Sequence, residues 1–268
     1  MQIEITRART NDASRWLSKK VRSIHSQWGE DGIIYALGEL FDFIPWCVEF
    51  GAYDGEHCSN TLNLINAHDW QAVLIEGDEE QANSLRALHH GRQRVRTLWD
   101  TVEPGNLGDI LGRTKLPTRF GILSIDVDGL DYHIWRDLED YEPQLVVIEF
   151  NPSVPNNILF VQDEDRRIQA GCSLRALIEL GKTKGYELVA TTPTNAFFVE
   201  KRYFEKCLIA DNSIDAMHTP GDYELFVFQT YDGCLVGAGC MGLIWHNMEI
   251  HQEDIQPLPF ELRKYPFA

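Results

Sequence analysis

Two short stretches hold the side chains best able to do chemistry. The first, SIDVDGLDYHIW (124–135), sets three carboxylates, Asp126, Asp128 and Asp131, close together, with His133 just beyond. Carboxylates this near to one another must be paired, solvated or metal-bound, because mutual repulsion raises their pKa values. Two aspartates at i and i+2 on a turn suit a hard divalent cation such as Mg²⁺. Glu149 and Asn151, ending a later apolar run, would bring further oxygens to the same crevice. Without a metal, the same residues read as an acidic helix-capping turn with one general base, and both readings stay open. His133 is a candidate general base, since an ordinary imidazole titrates near neutrality; the plainer reading is a packed surface residue. His25 and His57 are further candidates at the crevice.

The second stretch is VEFGAYDG (48–55). An apolar run carries Glu49 near its end and passes into a loop with Gly51 and Gly55, followed by SNTLNLI, a helix start with Ser59 as N-cap. Strand, glycine turn and helix N-terminus form the usual nucleotide cradle of α/β proteins. The GxxxG spacing is neither the GxGxxG of dinucleotide folds nor the GxxxxGK[ST] of P-loops. Glu76, ending the next apolar run, can accept both ribose hydroxyls, and Asp100 follows the run after that. A single acid ending a strand is more often a cap or a surface charge. Three in register after successive strands point to a cofactor.

The elements that must position these groups alternate regularly. Helices are predicted over 30–42, 60–67, from Asp78 (with Gln81 in a capping-box variant), 106–112, 130–138 and 173–183. Strands are predicted at 46–50, 71–76, 94–99, 120–126 and 144–150. Near-continuous Val, Ile and Leu in several of them fits a parallel sheet covered on both faces. Five βα repeats place a ligand crevice at the carboxyl ends of the strands. Residues 151–172 read as a long loop over those ends. YELVATTPTNAFFVE (186–200) reads as two strands turning at Pro193–Asn195, and LFVFQTYDGCLVGA as a hairpin turning at Asp232–Gly233. Phe197, Phe198 and Trp245 are expected in the core, and His246 is expected to be structural.

The order SQWGEDG (26–32), VEFGAYDG, SNT, then LIEGD (74–78) resembles the class I S-adenosylmethionine (SAM) methyltransferases, in particular an FkbM-like branch. The resemblance spans about residues 23–200. It implies a Rossmann-like α/β fold: a seven-stranded, mostly parallel sheet with an antiparallel hairpin, helices on both faces, and N- and C-terminal additions. Residues 1–45 would form a helical segment covering the cofactor site. Residues 46–200 would be the SAM-binding core with its insertion at 151–172, and 201–268 an embellishment of the same domain. By resemblance Glu49, Gly51, Ala52, Tyr53 and Gly55 form the cofactor loop, Glu76 with Gly77 takes the ribose, and Asp100 faces the adenine. Gln27 and Asp31 would face the methionine end, Asn60 and Thr61 its carboxylate, and Asp126 would also touch the cofactor. Asp126, Asp128 and His133 are the catalytic candidates. Asp126, Asp128, Glu149 and Asn151 are the candidates to hold Mg²⁺ or another divalent cation. The family more often shows a D-V-E-G-x-E pattern where this chain has aspartates.

The remaining composition narrows the partners. A net charge of −17 over 268 residues repels nucleic acid and anionic membrane. Six cysteines without a CxxC pair signal neither zinc nor a disulfide framework, and no apolar run approaches a membrane span. The expectation is a cytoplasmic enzyme, free to be a homodimer, that methylates an oxygen on a small molecule such as a sugar or secondary metabolite. Two alternatives remain: a nucleotide-sugar glycosyltransferase using Asp126-Val-Asp128 as a DxD pattern, and a non-catalytic SAM-binding scaffold.

Overall fold

The computed structural model describes residues 2–6, 11–220 and 223–266. The chain runs through α1 (Glu30–Gly38), β1 (Trp46–Phe50), α2 (Leu62–Ala67), β2 (Gln71–Glu76), α3 (Glu79–Leu88), β3 (Val95–Trp99) and α4 (Leu107–Gly112). It continues through β4 (Arg119–Ile125), α5 (Asp131–Asp137), β5 (Glu142–Glu149), α6 (Leu174–Lys184), β6 (Tyr186–Thr191) and β7 (Asn195–Glu200). The last part holds α7 (Lys201–Phe204), α8 (Ile214–Met217), β8 (Leu225–Gln229), β9 (Leu235–Gly239), β10 (Gly242–Leu243) and β11 (Met248–Glu249).

Strands β1 to β7 form one sheet in the order β3-β2-β1-β4-β5-β7-β6. The pairs among β1 to β5 are parallel, and β7 runs antiparallel between β5 and β6. This is the Rossmann-like sheet with an antiparallel hairpin that the sequence pattern and the resemblance predict. The order reverses at β1 and β4, and a doubly wound sheet opens its ligand crevice beyond the carboxyl ends at that point. Strands β1, β2, β4 and β5 are buried along nearly their whole length, which is why they read as unbroken apolar runs. Phe197 and Phe198 lie fully buried on β7, as expected, and Trp135 of α5 packs 5.1 Å from the Phe198 ring.

Local signals placed the helix starts well. The Asp78 carboxylate accepts from the Gln81 backbone N–H and caps α3, and Ser173 does the same for α6 through Ala176. The first helix is shorter than the predicted 30–42, ending at Gly38, with Leu40 and Phe41 in the following turn. No helix among the described residues is long and apolar enough to cross a membrane.

Two buried histidines make stability depend on pH. His89 is 4% exposed, and neither ring nitrogen has a hydrogen-bond partner among the described residues. Burial, helped by Arg92, lowers its pKa to about 4; burial likewise lowers His218 to about 4. An unfolded histidine takes its proton near pH ~6.5. Between that pH and ~4 the unfolded chain therefore binds more protons, and stability falls as the pH drops. His89 contributes up to about 3 kcal/mol of that loss. Buried carboxyls act in the opposite sense, so the difference between variants isolates the histidine. In urea titrations at pH 7.5 and 5, His89→Leu loses less stability than the wild type. Equal losses would show that His89 is not the titrating group.

Candidate active site at the carboxyl ends of the strands

The loop after β1 is built around the absence of a side chain at Gly51. Its φ is +70°, and a Cβ there would stand 1.6 Å from the Asp126 carbonyl oxygen at the end of β4. Only glycine lets these adjacent strand ends lie so close. Gly55, at φ +84°, faces the other way, and a Cβ on it would meet Leu85 and His89 of the α3 region. It docks the loop on α3 and does not line the cavity.

Glu49 is buried and works as a clamp. Its carboxylate accepts from Ser59 Oγ, the Asn60 N–H and Thr61 Oγ1, each at 2.7 Å. Burial raises its pKa, and these three donors oppose the shift. Ser59 Oγ in turn accepts from the N–H groups of Thr61 and Leu62. Helix α2 begins at Leu62 with Thr61 as its N-cap, two residues later than the Ser59 cap expected, and Ser59 orders the turn that leads into it. Thr61 is fully buried behind this network. Asn60 donates through Nδ2 to Ser124 Oγ on β4 and reaches the cavity wall.

A cavity of about 640 Å³ opens over the ends of β1 to β5. Gln27, Glu49, Gly51, Ala52, Tyr53, Asn60, Glu76, Gly77, Asp100 and Asp126 all line it, as do His57 and Cys58. Glu76 accepts from the backbone N–H of Tyr53 at 2.7 Å and of Asp78 at 2.8 Å. One N–H contact falls on each carboxylate oxygen, leaving each a further lone pair toward the cavity. Asp100 is held by Arg113 from α4.

On the far side of Gly51, Asp126, Asp128 and Glu149 each offer an oxygen, all lying within 4.8 Å of one another. Among the described residues, none of the three forms an ion pair with a lysine or arginine. Burial first, then repulsion from Asp131 and Asp128, holds the Asp126 carboxyl well above its usual range. Burial, with repulsion from Asp126, Asp131 and Asp128, pushes Glu149 up to about 10. Asp131 is not part of the trio's open face. Its two oxygens accept from the N–H groups of Val127 and Gly129, and this shapes the turn that presents Asp128 at φ 55°.

Several expected site residues lie elsewhere. His133 is buried and does not line the cavity. Its Nε2 is 2.8 Å from the Gln162 carbonyl, and its Nδ1 is 3.0 Å from Arg136 Nη1. Loop 151–172 closes over α5 and takes Nε2 through Gln162, while Arg136 of α5 itself takes Nδ1, leaving the packed reading of His133. Asn151 Oδ1 accepts from Ser153 N and Oγ, and its Nδ2 donates to the Ala170 carbonyl. Both lone pairs of that oxygen are used, so a cation at the trio gains no ligand from it. Asp31 is also spent on backbone: Oδ2 accepts from the N–H groups of Ile24, His25 and Ser26 and from Ser26 Oγ. It holds the segment that carries Gln27 to the cavity without reaching the cavity itself. His25 gives this network its backbone N–H and does not line the cavity.

Trp245 is the main correction. It is 63% exposed rather than in the core, and it stands at the cavity together with Arg166, Ile168 and Gln169 of the 151–172 loop. Loop length signalled the latter group. For Trp245 the flanking apolar residues of LIWHN gave the opposite signal.

Neither a protein-family model nor a curated protein matches the sequence. Solved structures do. The N-terminal domain of EvdMO1 with SAH bound is 17% identical, with 66% of this chain and 83% of that one covered and a TM-score of 0.41. A protein described provisionally as an O-methyltransferase, from Klebsiella pneumoniae, is also 17% identical, covering 69% and 88% with a TM-score of 0.44. A SAM-dependent methyltransferase from Aquifex aeolicus is 11% identical, covering 61% and 86% at 0.38. At such identities and scores a likeness carries no function, and the chemistry has to come from the site's own residues.

Proposed function

We propose that the chain is a SAM-dependent methyltransferase that methylates an oxygen of a small-molecule acceptor. One observation carries this reading. The carboxylates of Glu76 and Asp100, at the ends of adjacent strands, share one cavity with a Gly51 loop that has no room for a side chain. That is a cradle for a nucleoside with vicinal hydroxyls, followed directly by a cluster able to handle a proton. The cavity's volume falls within the roughly 300–1,000 Å³ of ordinary ligand sites.

SAM would supply a methyl group on a cationic sulfonium. Glu76 would accept the ribose hydroxyls, Asp100 would face the adenine, and Gln27 and Asn60 would orient the methionine end. The acidic wall suits a ligand whose reacting end is positive. Asp126, Asp128 and Glu149 are hard oxygen donors with no lysine or arginine paired to them among the described residues, a set that fits Mg²⁺ or a similar ion. A bound divalent ion would supply the positive charge that eases loss of a hydroxyl proton. The chain's own contribution is to align the acceptor oxygen and to receive its proton on one of these carboxylates. The charge balance again argues for a small-molecule partner rather than nucleic acid or membrane.

Isothermal titration with SAM, S-adenosylhomocysteine (SAH), a UDP-sugar and NAD tests the reading. SAM and SAH are expected to bind at micromolar Kd or tighter, and Glu76→Ala to weaken them at least about 100-fold, the worth of two charge-assisted hydrogen bonds. No heat with either sulfur ligand would sink the proposal. Heat with the UDP-sugar instead would favour a glycosyltransferase using Asp126 and Asp128.

A further inference from the structure

A second chamber of about 280 Å³ adjoins the large cavity. The two share Asp128, Glu149, Gln169 and Trp245. Two of the three acids, Asp128 and Glu149, therefore stand at the boundary between two compartments, with Asp126 on the side of the large cavity. Below the boundary are the nucleoside-type features: the glycine loop, Glu76 and Asp100. At it, with the two acids, are Gln169 and Trp245, and beyond it are Asn151 and His246; the cofactor reading uses none of these four except as wall.

Trp245 reaches this boundary by a specific device. Strands β10 and β11 pair antiparallel, and the short 3-10 turn Ile244–His246 between them ends at Asn247 in the left-handed conformation, φ 48°. Among the described residues, Trp245 is the sole contributor to the large cavity from beyond position 170. A tryptophan left 63% exposed on a tight turn, facing a compartment of carboxylates and amides, has no core-packing role to explain it.

We propose that the second chamber is the acceptor site, that Trp245 is its platform, and that the acceptor it takes is a saccharide ring. The proposal rests on the methyltransferase reading and adds the substrate class. A chamber of 280 Å³ corresponds to roughly nine waters at ~30 Å³ each, room for one substituted six-membered ring. A saccharide has an apolar C–H face and a rim of hydroxyls. One indole face meets the first, and the Asp128 and Glu149 carboxyls with the Gln169 amide meet the second. A flat aromatic acceptor would instead call for apolar walls on both faces. Trp245 touches the acceptor and selects it; the proton is handled by the acids at the boundary.

The test uses the full chain loaded with SAH and Mg²⁺. Saturation-transfer NMR is run with a panel of methyl glycosides of the common pyranoses and furanoses, with catechol and caffeate as aromatic controls. At least one glycoside is expected to receive saturation, strongest at the ring C–H protons of one face. Trp245→Ala should weaken that glycoside at least about tenfold, and Trp245→Phe should recover most of the loss. SAH affinity is measured in parallel because Trp245 also lines the large cavity, and the loss of glycoside in Trp245→Ala should exceed any loss of SAH at least about tenfold. Three results would overturn the proposal: no glycoside binding, binding by the aromatic controls alone, or glycoside binding indifferent to Trp245→Ala. Failure of SAH to bind the wild type is a separate outcome and removes the methyltransferase reading itself.

Discussion

Gly51→Ala is expected to bind SAH at least about 100-fold more weakly than the wild type and to unfold at a visibly lower temperature. The new methyl would lie 1.6 Å from the Asp126 carbonyl oxygen, well inside any tolerable contact. The obstacle is backbone, not the free end of a side chain, so the strand ends of β1 and β4 have to part. The left-handed φ of +70° adds about 1–2 kcal/mol for any residue with a Cβ. Together these amount to roughly 3 kcal/mol or more. Titration calorimetry with thermal melts separates the two effects. Gly55→Ala is the control: it strains the same loop against α3 while leaving the cavity wall intact, so it should cost stability with a much smaller loss of affinity. Equal SAH affinity in Gly51→Ala and wild type would mean that the loop is not the cofactor cradle.

Glu149→Gln is expected to do two opposite things. In EDTA it should be more stable than the wild type by about 1–2 kcal/mol, or about 3–6 °C in melting temperature. Burial and the neighbouring Asp126, Asp131 and Asp128 carboxylates push the Glu149 carboxyl up to about 10, so the folded chain pays to hold it. A raised folded pKa means that the folded state binds the extra proton, and this penalty grows as pH rises from the unfolded value near ~4.3 toward 10. The amide keeps the shape of the protonated acid and removes the proton uptake that folding otherwise requires. In Mg²⁺ the ranking should invert: the ion stabilises the wild type by mass action and the variant far less. Methyl transfer in the variant should fall at least about 100-fold if the trio receives the proton or holds the ion. Identical Mg²⁺ responses in the two proteins would leave the trio as a base without a metal.

How much of this was legible in the sequence depended on how local each cause is. The strands could be read because a sheet covered on both faces demands unbroken apolar runs, and β1, β2, β4 and β5 have them. Asp78 and Ser173 could be read because a cap is decided within four residues. Glu76 and Asp100 could be placed because each follows its strand directly. His133 could not, because the direction of its ring is settled by Gln162, 29 positions later, in a loop with no regular structure. Asn151 looked like a ligand until its oxygen was committed to Ser153, a choice made by the turn rather than by the residue type. Trp245 was misread for the deepest reason. Apolar residues on both sides of a tryptophan look alike whether they feed a core or anchor an exposed turn, and only the hairpin's position on the fold tells which.

The side chain of Gln162 has a consequence for how ligands arrive. It is 4% exposed, its Oε1 accepts from the N–H groups of Ala170 and Gly171, and its Nε2 donates to the Ile168 carbonyl at 2.8 Å. One buried amide thus does for this long loop what a pair of strands would do elsewhere. A wall assembled in advance loses little chain entropy when a ligand settles against it, so more of the contact energy is kept as affinity. It also removes a closing step from the encounter. On such a scaffold the entry of a ligand is governed by the width of the mouth and the charge around it, not by the opening of a door.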